Sequence, residues 1–271
     1  MTDRVRRTAL YVLLTGGALL MVFPFVWTIV TSITPGATLT TTPQLIPDNP
    51  SLSPYVELFD RVPFGRIIVN SLIVAIVGTL LQLVTSALAA YVFARMPFPG
   101  RGAVFAVYLA TMMIPFQVLI VPLFAEMKTL GLINTYAGAI LPTIASAFGV
   151  FLLRQAIVSV PYDLDQAATL DGAGHFRIFF QVILPLIRPA LATLTVFAFL
   201  NTWNSFLWPL IILRDPLMQT LPVALTSLQG QYSTQWDVLM AGSVISIIPM
   251  FALYVFAQKY IVQGVAGTGL K

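Results

Sequence analysis

Residues 161–185 read PYDLDQAATLDGAGHFRIFFQVILP, and the reading of the whole chain turns on them. Asp163 can cap a short helix whose apolar members Leu164, Ala167 and Ala168 follow the i, i+3, i+4 rule. Asp171-Gly172 is a turn signal. A second helix then places Phe176, Phe179, Phe180 and Ile183 on one face, at i, i+3, i+4 and i+7. The segment therefore predicts two short helices at a bend. Such a unit suits docking into a groove on a partner, or lying flat as an interfacial amphipathic helix.

On either side the chain is unusually apolar. Of 271 residues, 58% are hydrophobic and 9% charged, against about 25% charged in a soluble domain, and mean hydropathy is +0.90. Too few charged groups exist to cover a water-soluble surface, which makes this an integral membrane protein. A spanning helix needs about 20 mainly apolar residues, and the gaps between charged positions supply six: 8–33, 67–94, 102–125, 129–153, 189–213 and 238–258. A further charge-free run, 216–236, carries Gln219, Thr220, Gln229, Gln231 and Gln235 among other polar residues and reads as a loop.

Positive charge sets the orientation. With a cytoplasmic N-terminus, ten of the fourteen basic residues fall inside, Arg95, Arg154, Arg177 and Arg188 among them. Net charge is then +6 inside and −2 outside. Both termini are expected in the cytoplasm. The first span follows Arg4, Arg6 and Arg7 as a signal peptide would. Its apolar run is nevertheless longer than an h-region of about 7–15 residues, and no small-x-small cleavage site follows, so it is expected to stay as a membrane helix.

Residues 35–66 form an extracytoplasmic segment with Pro35, Pro43, Pro47, Pro50, Pro54 and Pro63, expected to be extended or turn-like because proline fixes φ and lacks the amide donor. The domain plan is thus 1–34 for the N-terminus and first span, 35–66 for this segment, 67–260 for a five-helix core containing the loop 161–185, and 261–271 for a cytoplasmic tail. Prolines inside the spans, Pro24, Pro115, Pro122, Pro142, Pro209 and Pro249, read as local kinks. The outer loop 214–237 combines polarity with Tyr232 and Trp236, residue types enriched at interfaces.

Much chemistry is excluded. Cysteine is absent and His175 is the single histidine, which rules out disulfides, thiolate chemistry and a Cys- or His-rich metal centre. The nearest approach to a P-loop, GVAGTGLK at 264–271, has Leu270 where lysine must follow the glycine. No ATP hydrolysis by this chain is expected, no cofactor of its own, and no nucleic-acid partner. Interiors of the six spans hold no Asp, Glu, Lys, Arg or His, which argues against proton pumps, proton symporters and voltage sensors. Na⁺ coupling through carbonyls stays open.

The loop 161–185 resembles the EAA loop of binding-protein-dependent ABC importer permeases: Glu-Ala-Ala, three residues, Gly, nine residues, Ile, one residue, Leu-Pro. This chain has Gln166-Ala167-Ala168, Gly172, Val182 and Leu184-Pro185 with every spacing kept, and Asp171-Gly172-Ala173 matches as well. Gln166 and Val182 depart from the pattern; Asp163 and Asp165 keep the first helix acidic. The run from Trp203 through Asn204 and Ser205 to Trp208-Pro209 looks like the fifth-span motif of carbohydrate-type, MalG-like permeases, and the glycine-rich tail 264–271 is similar to theirs.

The resemblance implies an all-α fold of the type I importer kind with six transmembrane helices. It implies a multi-pass subunit of the cell membrane, paired as a heterodimer with a second permease and embedded in lipid. Two ABC ATPase subunits, carrying ATP and Mg, lie below, and an extracytoplasmic solute-binding protein delivers the substrate. Asp165, Gln166, Ala167, Ala168, Asp171, Gly172, Ala173, Phe176, Leu184 and Pro185 become the expected ATPase-coupling residues. Family substrates are sugars, oligosaccharides and glycerol phosphates; amino acids or peptides are the runner-up within the family. A secondary transporter is the rival from another class, and a membrane scaffold would leave the loop spacing unexplained.

A sugar needs hydrogen-bonding side chains and aromatic faces along its route. Span five offers Asn201, Trp203, Asn204 and Ser205; span two offers Gln82, Thr85 and Ser86; span three offers Gln117. Polar residues also bond helices to one another, at about 0.6 kcal/mol on average. Contact with the binding protein is expected at Gln229, Gln231, Tyr232 and Trp236.

Overall fold

The computed structural model describes the backbone of residues 2–38, 45–47, 49–229 and 234–268, and side chains from 4 to 258 within those ranges. Every regular element among the described residues is helical. Three helices are long and apolar enough to cross a membrane: α1 (Thr2–Ser32), α3 (Phe64–Arg95) and α14 (Trp236–Thr268). The other apolar runs are broken. α4 (Arg101–Ala110) and its 3₁₀ extension Thr111–Met113 meet α5 (Phe116–Thr129) at 99°, and α6 (Tyr136–Ile140) with Leu141–Thr143 meets α7 (Ala147–Ser159) at 51°. Pro115 sits at the first break, and Pro142 in the 3₁₀ turn that leads into the second. They do more than kink a helix, whereas Pro24, Pro122 and Pro249 lie inside continuous ones. The run 189–213 is likewise divided into α11 (Arg188–Trp203) and α12 (Leu207–Ile212).

Two connectors hold more structure than composition indicated. The proline-rich segment contains α2 (Ser53–Arg61), because Pro54 falls in the first turn, where its missing N–H costs nothing. The polar run 216–236 contains α13 (Leu221–Ser227), with Thr220, Leu221, Val223 and Ala224 buried. The last helix continues to Thr268, so the expected tail begins as helix.

The chain divides into two compact units, residues 1–66 with 224–249, and residues 67–223 with 250–271. In the first, Ser32 Oγ and the Tyr55 hydroxyl lie 2.9 Å apart, and the Gly36 amide donates to Asp237 Oδ2 at 2.7 Å. Leu58 and Phe64 are fully buried beside Gly242, where a Cβ would stand 2.6 Å from Leu225 Cδ2. Among the described residues, none in the most apolar stretch of α1 is buried.

The second unit is organised around α3. Ala87, Ala90 and Tyr91 pack with Val150, Leu153 and Ile157 of α7 and with Ile178, Phe179, Ile183, Ile187 and Leu194. Gly149 lets the two helices meet closely, since a Cβ there would stand 2.5 Å from Ser86 Oγ. A second cluster joins Val74 and Met127 to Ala139, Ile140, Trp208 and Ile212, with the Trp208 indole donating to the Gly138 carbonyl at 3.1 Å.

Candidate functional site

The helix breaks at Pro115, at residues 144–146 and at residues 204–206 border one cavity of about 410 Å³ in the second unit. Non-helical backbone at membrane depth is tolerated where protein or a water-filled cavity surrounds it. Gln82 comes from α3, Gln117 from the first turn of α5, Thr143 and Ser146 from the break before α7, and Asn201 and Ser205 from the end of α11. Phe116 and Trp208 meet edge to face at 6.2 Å on the same wall. No Asp, Glu, Lys, Arg or His lines it among the described residues.

Hydrogen-bonding commitments separate these polar groups. Ser146 caps α7 by accepting from the Gly149 amide at 3.0 Å, and Thr143 donates to the Ile140 carbonyl at 2.8 Å. The side chains of Gln82, Gln117, Asn201 and Ser205 make no hydrogen bond among the described residues. Four of the six expected path residues therefore share this cavity. Trp203 and Asn204 do not line it. Trp203 is 3% exposed and stacks on Phe199 at 5.6 Å, while the Asn204 amide donates to the Leu200 carbonyl one turn back at 2.8 Å. α11 ends at Trp203, which is why the face expected for Asn201, Asn204 and Ser205 does not persist. Thr85 donates to the Ile144 carbonyl at 2.7 Å and Ser86 packs on Gly149, so both bind helices together. Thr143, Ser146 and Phe116 escaped the sequence reading. The signal was adjacency to Pro142 and Pro115 for Thr143 and Phe116, and the N-cap position before α7 for Ser146.

The segment 161–185 forms α8 (Asp163–Leu170), a left-handed turn at Gly172, α9 (His175–Ile178), a π-turn Phe179–Ile183 and α10 (Leu184–Leu186). Gly172 has φ +78°. The Ala173 amide donates to Ala168 O at 2.9 Å and the Gly172 amide to Thr169 O at 3.0 Å, the paired bonds of a Schellman C-cap. Asp163 occupies the first turn instead of the cap. Tyr162 precedes it without a side-chain bond, and an acid there still complements the helix dipole.

The one-face reading of the second helix fails at the π-turn. Leu184 N–H reaches back five residues to Phe179 O, beside Pro185, which has no N–H to continue an α ladder. Ile178, Phe179 and Ile183 are buried, whereas Phe176, at 77% exposure, and Phe180 face outward.

Of the expected coupling residues, Gln166, Ala167, Asp171, Gly172 and Phe176 are exposed, and Ala168, Ala173, Leu184 and Pro185 are half-buried. Asp165 points the other way. It is 5% exposed, and its Oδ2 lies 3.2 Å from Arg95 Nε at the end of α3. The geometry is that of an ion pair more than a linear hydrogen bond, since neither atom meets the angular criterion. Arg95 also donates to the Val160 carbonyl at 2.7 Å and lies 5.5 Å from the Tyr162 ring centroid. Asp165 therefore faces Arg95 and not outward with Gln166 and Ala167. Arg95, read from sequence only as an orientation charge, is its anchor. Tyr91 adds a second attachment through Phe179, at 5.1 Å, and His175 Nδ1, 3.4 Å from its hydroxyl.

Of the expected binding-protein contacts, Gln229 is exposed and Trp236 is half-buried at the start of α14. Gln231 and Tyr232 lie outside the described residues.

Apolar broken helices around a charge-free cavity, with an exposed two-helix loop anchored on the longest internal helix, define a multi-pass helical membrane protein of the transport class. The chain belongs to the family described as "Binding-protein-dependent transport system inner membrane component", which it matches over residues 82–267. It is 37% identical to the arabinooligosaccharides transport system permease protein AraQ of Bacillus subtilis (strain 168), covering 99% of this chain and 96% of that protein. It is 36% identical to the lactose transport system permease protein LacG of Rhizobium radiobacter, covering 95% and 94%. Among solved structures it superposes on a bacterial ABC transporter involved in the import of the acidic polysaccharide alginate with a TM-score of 0.86, at 26% identity, covering 96% of this chain and 98% of that one.

Proposed function

We propose that this chain is the non-catalytic permease subunit of an ATP-driven importer of a carbohydrate. It pairs with a second permease, takes substrate from a solute-binding protein, and is driven by two ATPase subunits that hold the ATP and Mg. The six apolar runs of the sequence are its six spans, and the distribution of basic residues favours cytoplasmic termini. The domain plan is the one drawn from sequence, with residues 67–260 as the transporting core.

One observation carries the reading: an exposed glycine-turned pair of short helices, spaced as Gln166-Ala167-Ala168, Gly172 and Leu184-Pro185, held by a buried ion pair on α3. Gln166, Ala167, Asp171, Gly172 and Phe176 present themselves to the ATPase groove. Closure of that groove shifts the loop, and Arg95 and Tyr91 pass the shift to α3. Relatives named for arabinooligosaccharide and lactose transport support a carbohydrate over an amino acid or peptide. Gln82, Gln117, Asn201 and Ser205 contribute to the path, and Gln229, Gln231, Tyr232 and Trp236 meet the binding protein.

The test is reconstitution of the co-purified complex in vesicles with the binding protein outside and ATP inside. Saccharide uptake that needs ATP, the binding protein and the intact loop is expected. Uptake by this chain alone, driven by an ion gradient, overturns the assignment.

A further inference from the structure

Resting on that reading, we infer that the cavity between the broken helices is a binding site for an uncharged, hydroxyl-rich ligand, a neutral saccharide unit, and discriminates against anionic and zwitterionic solutes. Its volume of about 410 Å³ is that of a small-molecule pocket, typically about 300–1,000 Å³.

The uncommitted groups state the chemistry. Gln82, Gln117 and Asn201 each bring a carbonyl acceptor and an NH₂ donor, and Ser205 brings a hydroxyl, none spent on protein partners among the described residues. A sugar hydroxyl both donates and accepts, so it satisfies either end of an amide. A phosphate, sulfate or carboxylate only accepts, so it can engage the NH₂ ends and the Ser205 hydroxyl but supplies no donor to the three amide oxygens.

An anion would also leave water with no counter-charge, because no cationic side chain lines the cavity among the described residues. An amino acid would lack partners for both its charges. The first turns of α5 and α7 border the cavity, and their dipoles favour negative charge. Against this, Ser146 already occupies the Gly149 amide of α7, and no arginine or lysine accompanies either terminus. Phe116, partly exposed, supplies an apolar wall for the C–H face of a pyranose or furanose ring, with Trp208 fixed behind it by its bond to Gly138.

The chain has no cysteine, so Ser205→Cys and Gln117→Cys each introduce one thiol whose alkylation by iodoacetamide can be followed by peptide mass spectrometry in the assembled complex. The probes are lactose and arabinotriose as neutral saccharides, sn-glycerol 3-phosphate and trigalacturonate as anions, and methionine as a zwitterion. A neutral saccharide is expected to slow alkylation at both positions by about threefold at two-thirds occupancy, with no slowing by the charged probes. Asn201→Ala in the Ser205→Cys background should abolish the protection. Protection by an anion or by methionine overturns the proposal, and so does an alkylation rate that none of the five changes. ATP-dependent uptake in the same vesicles keeps the two readings apart. Saccharide uptake without protection removes the site and leaves the importer; protection without ATP-dependent uptake does the reverse.

Discussion

Asn70 and Gln82 stand on the same helix, α3, about 18 Å apart along its axis, and do opposite things with the same functional group. The Asn70 amide is fully engaged: it donates to the carbonyls of Leu217 and Gln219 at 2.9 and 3.0 Å and accepts from the Tyr136 hydroxyl at 2.7 Å. Next to it, Ser71 Oγ accepts the Leu221 amide at 2.6 Å. This cluster ties the chain on either side of Met218 to α3 and α6. Gln82 is as well enclosed by the fold yet spends its amide on no protein group among the described residues. A polar side chain in a membrane helix is therefore either a fastener or a free contact. Its bonding commitments, more than its residue type, say which.

The strongest fastener lies at the far end of the same helix, and breaking it is the harshest test of that division. Arg95→Leu leaves Asp165 buried without its counter-charge, which should cost about 3–5 kcal/mol and sharply reduce the yield and thermal stability of the assembled complex. Adding Asp165→Leu removes the stranded charge and should restore most of the stability but not the coupling of ATP hydrolysis to uptake. If Arg95→Leu melts like wild type, the loop is seated by Tyr91 and Phe179 alone.

Next in size is Asn70→Leu. It strands two carbonyls and a hydroxyl, for which an estimate of about 1–2 kcal/mol is reasonable given the muted value of hydrogen bonds in membranes. Uptake and complex yield should fall together, and a loss of uptake at normal yield would place Asn70 among the free contacts instead.

Gly172→Asp follows. At φ +78°, with nothing within 4 Å of a Cβ built there, the side chain fits but the backbone is strained by about 1 kcal/mol. Membrane insertion should be normal. ATPase association, read by co-purification, should drop and uptake should be lost, because the new carboxylate sits on the exposed docking turn. Normal transport by this variant would remove the loop from the coupling assignment.

The smallest expected effect on stability, near zero, belongs to Asn201→Leu, which deletes an uncommitted amide. Uptake should fall while yield and basal ATPase activity stay at wild-type levels. Asn204→Leu is the control: its amide serves only its own helix, so uptake should change little. A joint fall in yield and uptake for Asn201→Leu would collapse the contrast with Asn70.

The membrane class, the places of the apolar runs, and the two-helix loop with its glycine turn were all legible, since each rests on short-range signals. Composition, charge spacing and turn chemistry act within a few residues. The proline-rich segment misled because six prolines suggested extended chain, while Pro54 sits where a helix tolerates it. The loop 214–237 misled because polarity hid Leu221, Val223 and Ala224, which are buried in α13.

What lay beyond the sequence was direction. Residue type marked Asn201, Asn204, Gln82 and Thr85 as equal candidates. Only the break after Trp203 and the meeting of three broken helices turned Asn201 and Gln82 toward a cavity while Asn204 and Thr85 were tied to backbone carbonyls. Asp165 looked like part of an acidic contact face, and the approach of α3 turned it inward onto Arg95. Sequence by itself determines which segments leave water and where the chain can bend, because apolar transfer and φ restrictions are local properties. Which polar atoms are left unspent depends on partners distant in the chain, and tertiary structure alone decides that.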